Sequence, residues 1–208
     1  MKIQAHPATQ ERWPDLEEAF RAKGCSMARG CWCMYYRLSG KQPPLRKGDT
    51  ASERNRRRLS ALVEAGPPPG LIAYDGGRPV GWVRMGPREV YANLEESPVM
   101  KAVDERPVWS IICFVVPSEH RRQGVAIALL RGALNYARKN GAKIVEAYPV
   151  DHDADPSAES LWFGTKTVYD DAGFVEVARR KGGAADRSRG FPLNHTGTLR
   201  SSAHRRLP

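Results

Sequence analysis

Apolar residues fill Val108-Trp109-Ser110-Ile111-Ile112-Cys113-Phe114-Val115-Val116 almost without interruption, the pattern of a central strand covered on both faces. Behind it, Val125, Ala128, Leu129, Ala133, Leu134 and Ala137 recur at helical spacing until Gly141 stops the run. Before it, Leu71–Tyr74 and Val80–Met85 read as two strands joined at Asp75-Gly76-Gly77-Arg78-Pro79, a hairpin signal. Lys143–Tyr148 and Phe174–Ala178 read as further strands, and Met1–Ala8 as a weak edge strand. Helices are predicted over Pro14–Ala22, Ser52–Glu64 and Ser157–Ala172, with Pro14 suited to a first helical position. Residues 41–50 and 86–106 read as connections, the second with room for one short helical turn.

At 208 residues the chain suits one domain with its own core. No run of about 18 apolar residues occurs, and the first residues lack the apolar stretch of a secretory signal, so a cytoplasmic protein without a membrane span is expected. The formal charge of +10 invites a nucleic-acid reading. Its distribution argues against one, because the arginines gather in residues 53–58 and beyond Lys181 with no recognisable nucleic-acid-binding motif around them. Four cysteines are too few for a disulfide scaffold, and Cys25, Cys31 and Cys33 lack the second ligand pair of a structural zinc site, so no metal is expected. Gly182–Pro208 is rich in glycine, serine and arginine. Composition therefore divides the chain into a folded domain, 1–181, and a basic tail, 182–208, that is flexible or loosely packed.

The candidate chemistry lies where the central strand ends. Pro117-Ser118-Glu119-His120-Arg121-Arg122-Gln123-Gly124 is a basic turn that runs directly into the long helix. Amides at a helix start lack internal partners and sit at the positive end of its dipole, so the order strand, glycine-containing turn, helix makes an anion site. Arg121-x-x-Gly124-x-Ala126 after this strand resembles the acyl-coenzyme A signature of the GNAT superfamily of N-acetyltransferases, and Tyr169-Asp170-Asp171-Ala172-Gly173-Phe174 is similar to the end of that family's fourth helix. The element Cys31-Trp32-Cys33-Met34-Tyr35 resembles one found in a bacterial subgroup of the same family.

The resemblance implies an α/β (α+β) fold, a central mixed sheet flanked by helices, here with a divergent C-terminal tail. It implies transfer of an acetyl group from acetyl-CoA to a primary amine of a small-molecule or peptide acceptor, by direct attack in a ternary complex. The alternative is an acyl-CoA-binding regulator that keeps the fold without turnover. Cys113, Val115 and Val116 would hold the coenzyme's pantetheine arm, and Arg121, Arg122, Gln123, Gly124, Val125 and Ala126 its pyrophosphate. Tyr169 would protonate the departing thiolate, since a phenol of pKa about 10 stays protonated at neutral pH.

Glu146 is the leading candidate for the base, with an ordinary cross-strand polar partner as the competing reading. Trp32, Met34, Tyr35 and Tyr148 are candidates for the acceptor wall, against a role as core filler. The acidic loop of Asp151, Asp153 and Asp155 suits a solvated turn better than an amine site. A family sheet normally closes with a final strand from this C-terminal region. Its loss would alter the acceptor pocket and leave an edge open to a second copy, making a homodimer.

Overall fold

The computed structural model describes residues 2–38, 40, 42–149, 162–181 and 195–202. One seven-stranded sheet runs in the order β1-β2-β3-β4-β5-β7-β6. It comprises β1 (Gln4–Pro7), β2 (Gly70–Asp75), β3 (Arg78–Pro87), β4 (Trp109–Val115), β5 (Ile144–Ala147), β6 (Val175–Lys181) and β7 (His195–Ser202). All neighbours pair antiparallel except β4 and β5. That parallel pair needs a crossover, and α5 (Val125–Lys139) supplies it.

Two apolar clusters cover the sheet, one on each face. The first gathers α1 (Trp13–Arg21), α2 (Ser26–Cys31) and α3 (Ala51–Ala65) over Trp82 and the Cys113 and Val115 side of β4. The second gathers α5 and α6 (Lys166–Asp171) over Val83, Ile111 and Phe114. A further short helix, α4 (Ala92–Glu96), lies in the connection before β4. α5 lies unusually close to the sheet: a Cβ at Gly81 would stand 2.8 Å from Val125 Cγ1, so only glycine lets the start of this helix sit there. Among the described residues no helix is long and apolar enough to cross a membrane.

Two differences from the sequence reading concern the first and last parts of the chain. Residues 195–202 form a strand and fill the gap between β5 and β6. A final strand is therefore present within this segment. The β5 edge is covered by it. The physical reason is Leu199, wholly buried, and Arg200, whose guanidinium is matched inside by Glu146 and at the rim by Asp104, so that its charge is not buried alone. Residues 182–194 and 203–208 of the basic tail lie outside the described residues.

The stretch read as an aromatic and sulfur-lined wall begins at the end of α2, passes through two residues with left-handed backbone, Trp32 (φ 49°) and Cys33 (φ 50°), and continues into a 3-10 turn at Tyr35–Arg37. Trp32 is core: it stacks on Phe20 with ring centres 4.7 Å apart and donates from Nε1 to Ser52 Oγ at 3.1 Å.

Candidate active site

β4 pairs with β5 only through Trp109, Ser110 and Ile111. β5 ends at Ala147, whereas β4 continues to Val115, so beyond Ile111 the two strands part and that edge of β4 has no strand partner among the described residues. An irregularity in the β3–β4 register lies at the same level, because Met85 pairs with Ile111 and Arg84 with Cys113, leaving Ile112 as the extra residue. Main-chain donors and acceptors along such an edge are free to bind an extended ligand as another strand would.

The parted edge leads into the basic turn. Ser118–His120 form a single 3-10 turn, and Arg122 (φ 59°) and Gly124 (φ 80°) are both left-handed. Gly124 caps α5 without a side-chain hydrogen bond, and the first turn carries no acidic residue. Its leading amides are thus left for an external acceptor, at the positive end of a 15-residue helix.

The turn is tied down by side chains. Arg121 donates through Nε to Val116 O (3.1 Å) and through Nη2 to Gly24 O (2.9 Å), while Gln123 Nε2 donates to Glu119 O (2.6 Å). Arg121 and Gln123 therefore shape the loop from behind. Arg122 is exposed.

A cavity of about 900 Å³ opens along this edge. It is walled by Ile112–Val116, by the turn and first residues of α5, by Gly24–Ala28, and by Cys31, Cys33, Tyr35 and Tyr36. Trp162, Gly164, Thr165 and Val168 complete it. Of the residues singled out in the sequence, Cys113, Val115, Val116, Arg121, Arg122, Gly124, Val125, Ala126 and Tyr35 meet here. All four cysteines line it as well, with Cys33 Sγ donating to Cys113 Sγ at 3.1 Å. Burial, and then the contact with Cys113, raises the Cys33 thiol well above its usual range. Cys31 is raised by its bond to Cys33 and by burial. Both stay protonated at neutral pH, which leaves them poor nucleophiles.

Trp32, Met34, Tyr148, Glu146 and Tyr169 are not brought to this cavity. Met34 is buried in the core beneath α3. Glu146 is wholly buried, with Oε1 accepting from Arg88 Nη1 (2.6 Å) and from the Tyr148 hydroxyl, and Oε2 accepting from Arg200 Nε (3.1 Å). Ser110 Oγ lies 3.0 Å from the Tyr148 hydroxyl, which closes the network. A wholly buried carboxylate held by two guanidinium groups and absent from the cavity lining offers an amine no approach, so the cross-strand partner is the reading its surroundings favour. Burial, and next the charge of Glu146, pushes the Tyr148 phenol well up.

Tyr169 packs edge-on against Phe174, with centres 5.1 Å apart, and donates to Phe163 O at 2.6 Å. Burial raises its pKa further, so it stays a phenol, sealed from solvent. Removing this hydroxyl leaves a buried carbonyl unpaired: Tyr169→Phe should lower the unfolding free energy by about 1–3 kcal/mol. Urea denaturation checks this, and an unchanged midpoint would remove the bond from the account. The acidic loop at 151–155 lies outside the described residues.

Solved structures share this mixed sheet that splits beside a glycine-capped helix N-terminus. The chain is similar to an arylalkylamine N-acetyltransferase-like 5b from mosquito (TM-score 0.59, 13% identity, 97% of this chain and 100% of that one). It is similar to Ard1 from Thermoplasma volcanium (TM-score 0.53, 17% identity, 97% and 98%). A third likeness is to a chain of the NatC complex bound to Gag peptide and CoA (TM-score 0.50, 15% identity, 97% and 99%). At such identities the likeness is one of fold. No curated protein matches the chain. The profile of the acetyltransferase (GNAT) family matches residues 32–164, well over half of the sequence, and the chain belongs to that family.

Proposed function

We propose that this chain is an acetyl-CoA-dependent N-acetyltransferase acting on a primary amine, with acetyl transferred directly in a ternary complex. The observation that carries the reading is the junction of β4 and α5: an unpaired strand edge runs into uncapped helix amides and forms one wall of a 900 Å³ cavity. A ligand that is extended at one end and polyanionic at the other matches both halves. Family membership and the CoA named in the NatC complex point to the same cosubstrate. Acetyl-CoA would supply a thioester already activated toward amines.

The residues of the chain then have mainly positional work. Backbone groups of Cys113, Val115 and Val116 would align the pantetheine arm, and amides from Arg122 to Ala126 would hold the pyrophosphate. Direct transfer is favoured over a relay through cysteine because burial and thiol–thiol contacts keep Cys31 and Cys33 protonated. Tyr35, which lines the cavity, would stand on the acceptor wall.

A second reading, a non-catalytic acyl-CoA-binding regulator, draws on the sealed positions of Tyr169 and Glu146. One pair of measurements separates the two. Calorimetry with CoA and acetyl-CoA should show saturable heat, and a panel of primary amines should release coenzyme thiol. Heat without turnover on any amine would leave the regulator; no heat at millimolar coenzyme would sink both.

A further inference from the structure

Among the described residues three arginines are buried, Arg84 on β3, Arg88 just after it and Arg200 on β7, and one of them lacks a counter-charge. Arg88 pairs with Glu95 and Glu146, and Arg200 with Glu146 and Asp104. Arg84, on β3, has no exposed surface, no carboxylate partner among the described residues, and no hydrogen-bond acceptor for Nε or Nη1. A guanidinium cannot shed its proton, so its burial without an anion is costly.

Tyr91 lies beside it, 5.9 Å from ring centre to guanidinium carbon. Burial raises the phenol's pKa, so Tyr91 is neutral and supplies no charge. A second cation is near: the pKa of Arg37 is lowered by partial burial and then by the charge of Arg84, with no carboxylate of the described residues paired to either.

The position of this charge gives it meaning. Arg84 is the cross-strand partner of Cys113, so the two side chains leave the same face of the sheet. Cys33, which feels the charge of Arg84, touches Cys113, and both thiols line the cavity next to Tyr35 and Tyr36. The guanidinium, bonded to Tyr91 but without a counter-charge, therefore sits behind the thiol wall at the level of Cys113.

We infer that Arg84 is an anion subsite of the acceptor pocket, and that the acceptor is a primary amine carrying a carboxylate. This rests on the transfer reaction proposed above. A monoanion fits better than a phosphate dianion, because Arg84 alone is sealed from water while Arg37 is partly exposed and shares its charge with solvent. Arg84 lies outside the cavity lining, so Cys33 and Cys113 must part for the carboxylate to reach it.

The test uses the full chain and matched probes: ω-amino acids from glycine to 6-aminohexanoate together with L-lysine, set against n-alkylamines of equal length and O-phosphoethanolamine. Melting curves without coenzyme are read first. At least one amino acid should raise the melting temperature of the wild type, while its alkylamine does not. Arg84→Met should abolish that rise and Arg84→Lys should keep part of it.

With acetyl-CoA present, kcat/KM should favour the carboxylate-bearing amine by roughly a hundredfold, carried mostly by KM. Equal responses to acids and alkylamines in the wild type, a stronger response to O-phosphoethanolamine, or a carboxylate response that survives Arg84→Met would each overturn the inference. Coenzyme calorimetry on the same sample reports separately on the transferase. Coenzyme heat without carboxylate preference removes this subsite alone, and carboxylate stabilisation without coenzyme heat removes the transferase alone.

Discussion

Glu146→Ala should destabilise the protein by about 3–5 kcal/mol, the cost of leaving buried charges without their partner. Glu146 has no exposed surface and is shared by Arg88 and Arg200, themselves 7% and 5% exposed. Removing it strands two guanidinium groups at once. Their other partners, Glu95 on α4 and Asp104 in the connection to β4, lie nearer solvent and compensate only partly. Differential scanning calorimetry should show a melting temperature lower by roughly 10 °C for a chain of this size.

Glu146→Gln keeps acceptor atoms while removing the charge, so its loss should be smaller. The outcome also bears on catalysis. A general base replaced by glutamine would give a folded, wild-type-stable protein with little turnover, whereas a charge that pins β5 to β7 and to the segment before α4 gives lost stability in step with lost activity. A Glu146→Gln protein as stable as wild type yet inactive would return Glu146 to the chemistry.

The same residue shows where sequence reading stops. The strands of the sheet's centre and helix α5 are legible because their cause is local: near-continuous apolar runs, a Gly-Gly hairpin, and a 3.6-residue period closed by Gly141. The turn between β4 and α5 is legible for the same reason, since a strand, a glycine and a helix follow one another directly. The state of Glu146 is set by Arg88 and Arg200, 58 and 54 residues away in the chain, and nothing in its neighbours announces them.

β7 is hidden likewise, because Thr198-Leu199-Arg200-Ser201 reads as polar until Glu146 and Asp104 give the arginine a reason to face inward. Tyr169 lies in a motif that reads the same whether its hydroxyl faces a cavity or a carbonyl; only the path of Phe163 decides. Arg84, flanked by Val83 and Met85, gives one sequence signal, a charge at an inward-facing strand position, and such a charge merits a search for its partner.

Gly124→Val should weaken CoA binding by about a hundredfold while the protein stays folded. Gly124 has φ 80°, a region a β-branched residue enters only at a cost of about 1–2 kcal/mol, so valine will pull the backbone out of it. Space is not the obstacle, since an added Cβ meets only Ile127 Cγ2 at 3.8 Å. Rotating this one residue re-aims the amides at the start of α5, and each charge-assisted bond lost to an anion is worth about 1.5–3 kcal/mol.

Gly141→Val is the matched control: its φ is 83°, nothing lies within 4 Å of an added Cβ, and it sits past the other end of the same helix. Both variants carry similar backbone strain and should lose similar stability in urea, but only Gly124→Val should lose coenzyme heat in calorimetry. Gly124→Asn, which tolerates the left-handed region, should retain most of the affinity. Equal coenzyme affinity in the two valine variants would mean that the helix start does not hold the pyrophosphate, and the transferase assignment would then rest on the parted edge of β4 alone.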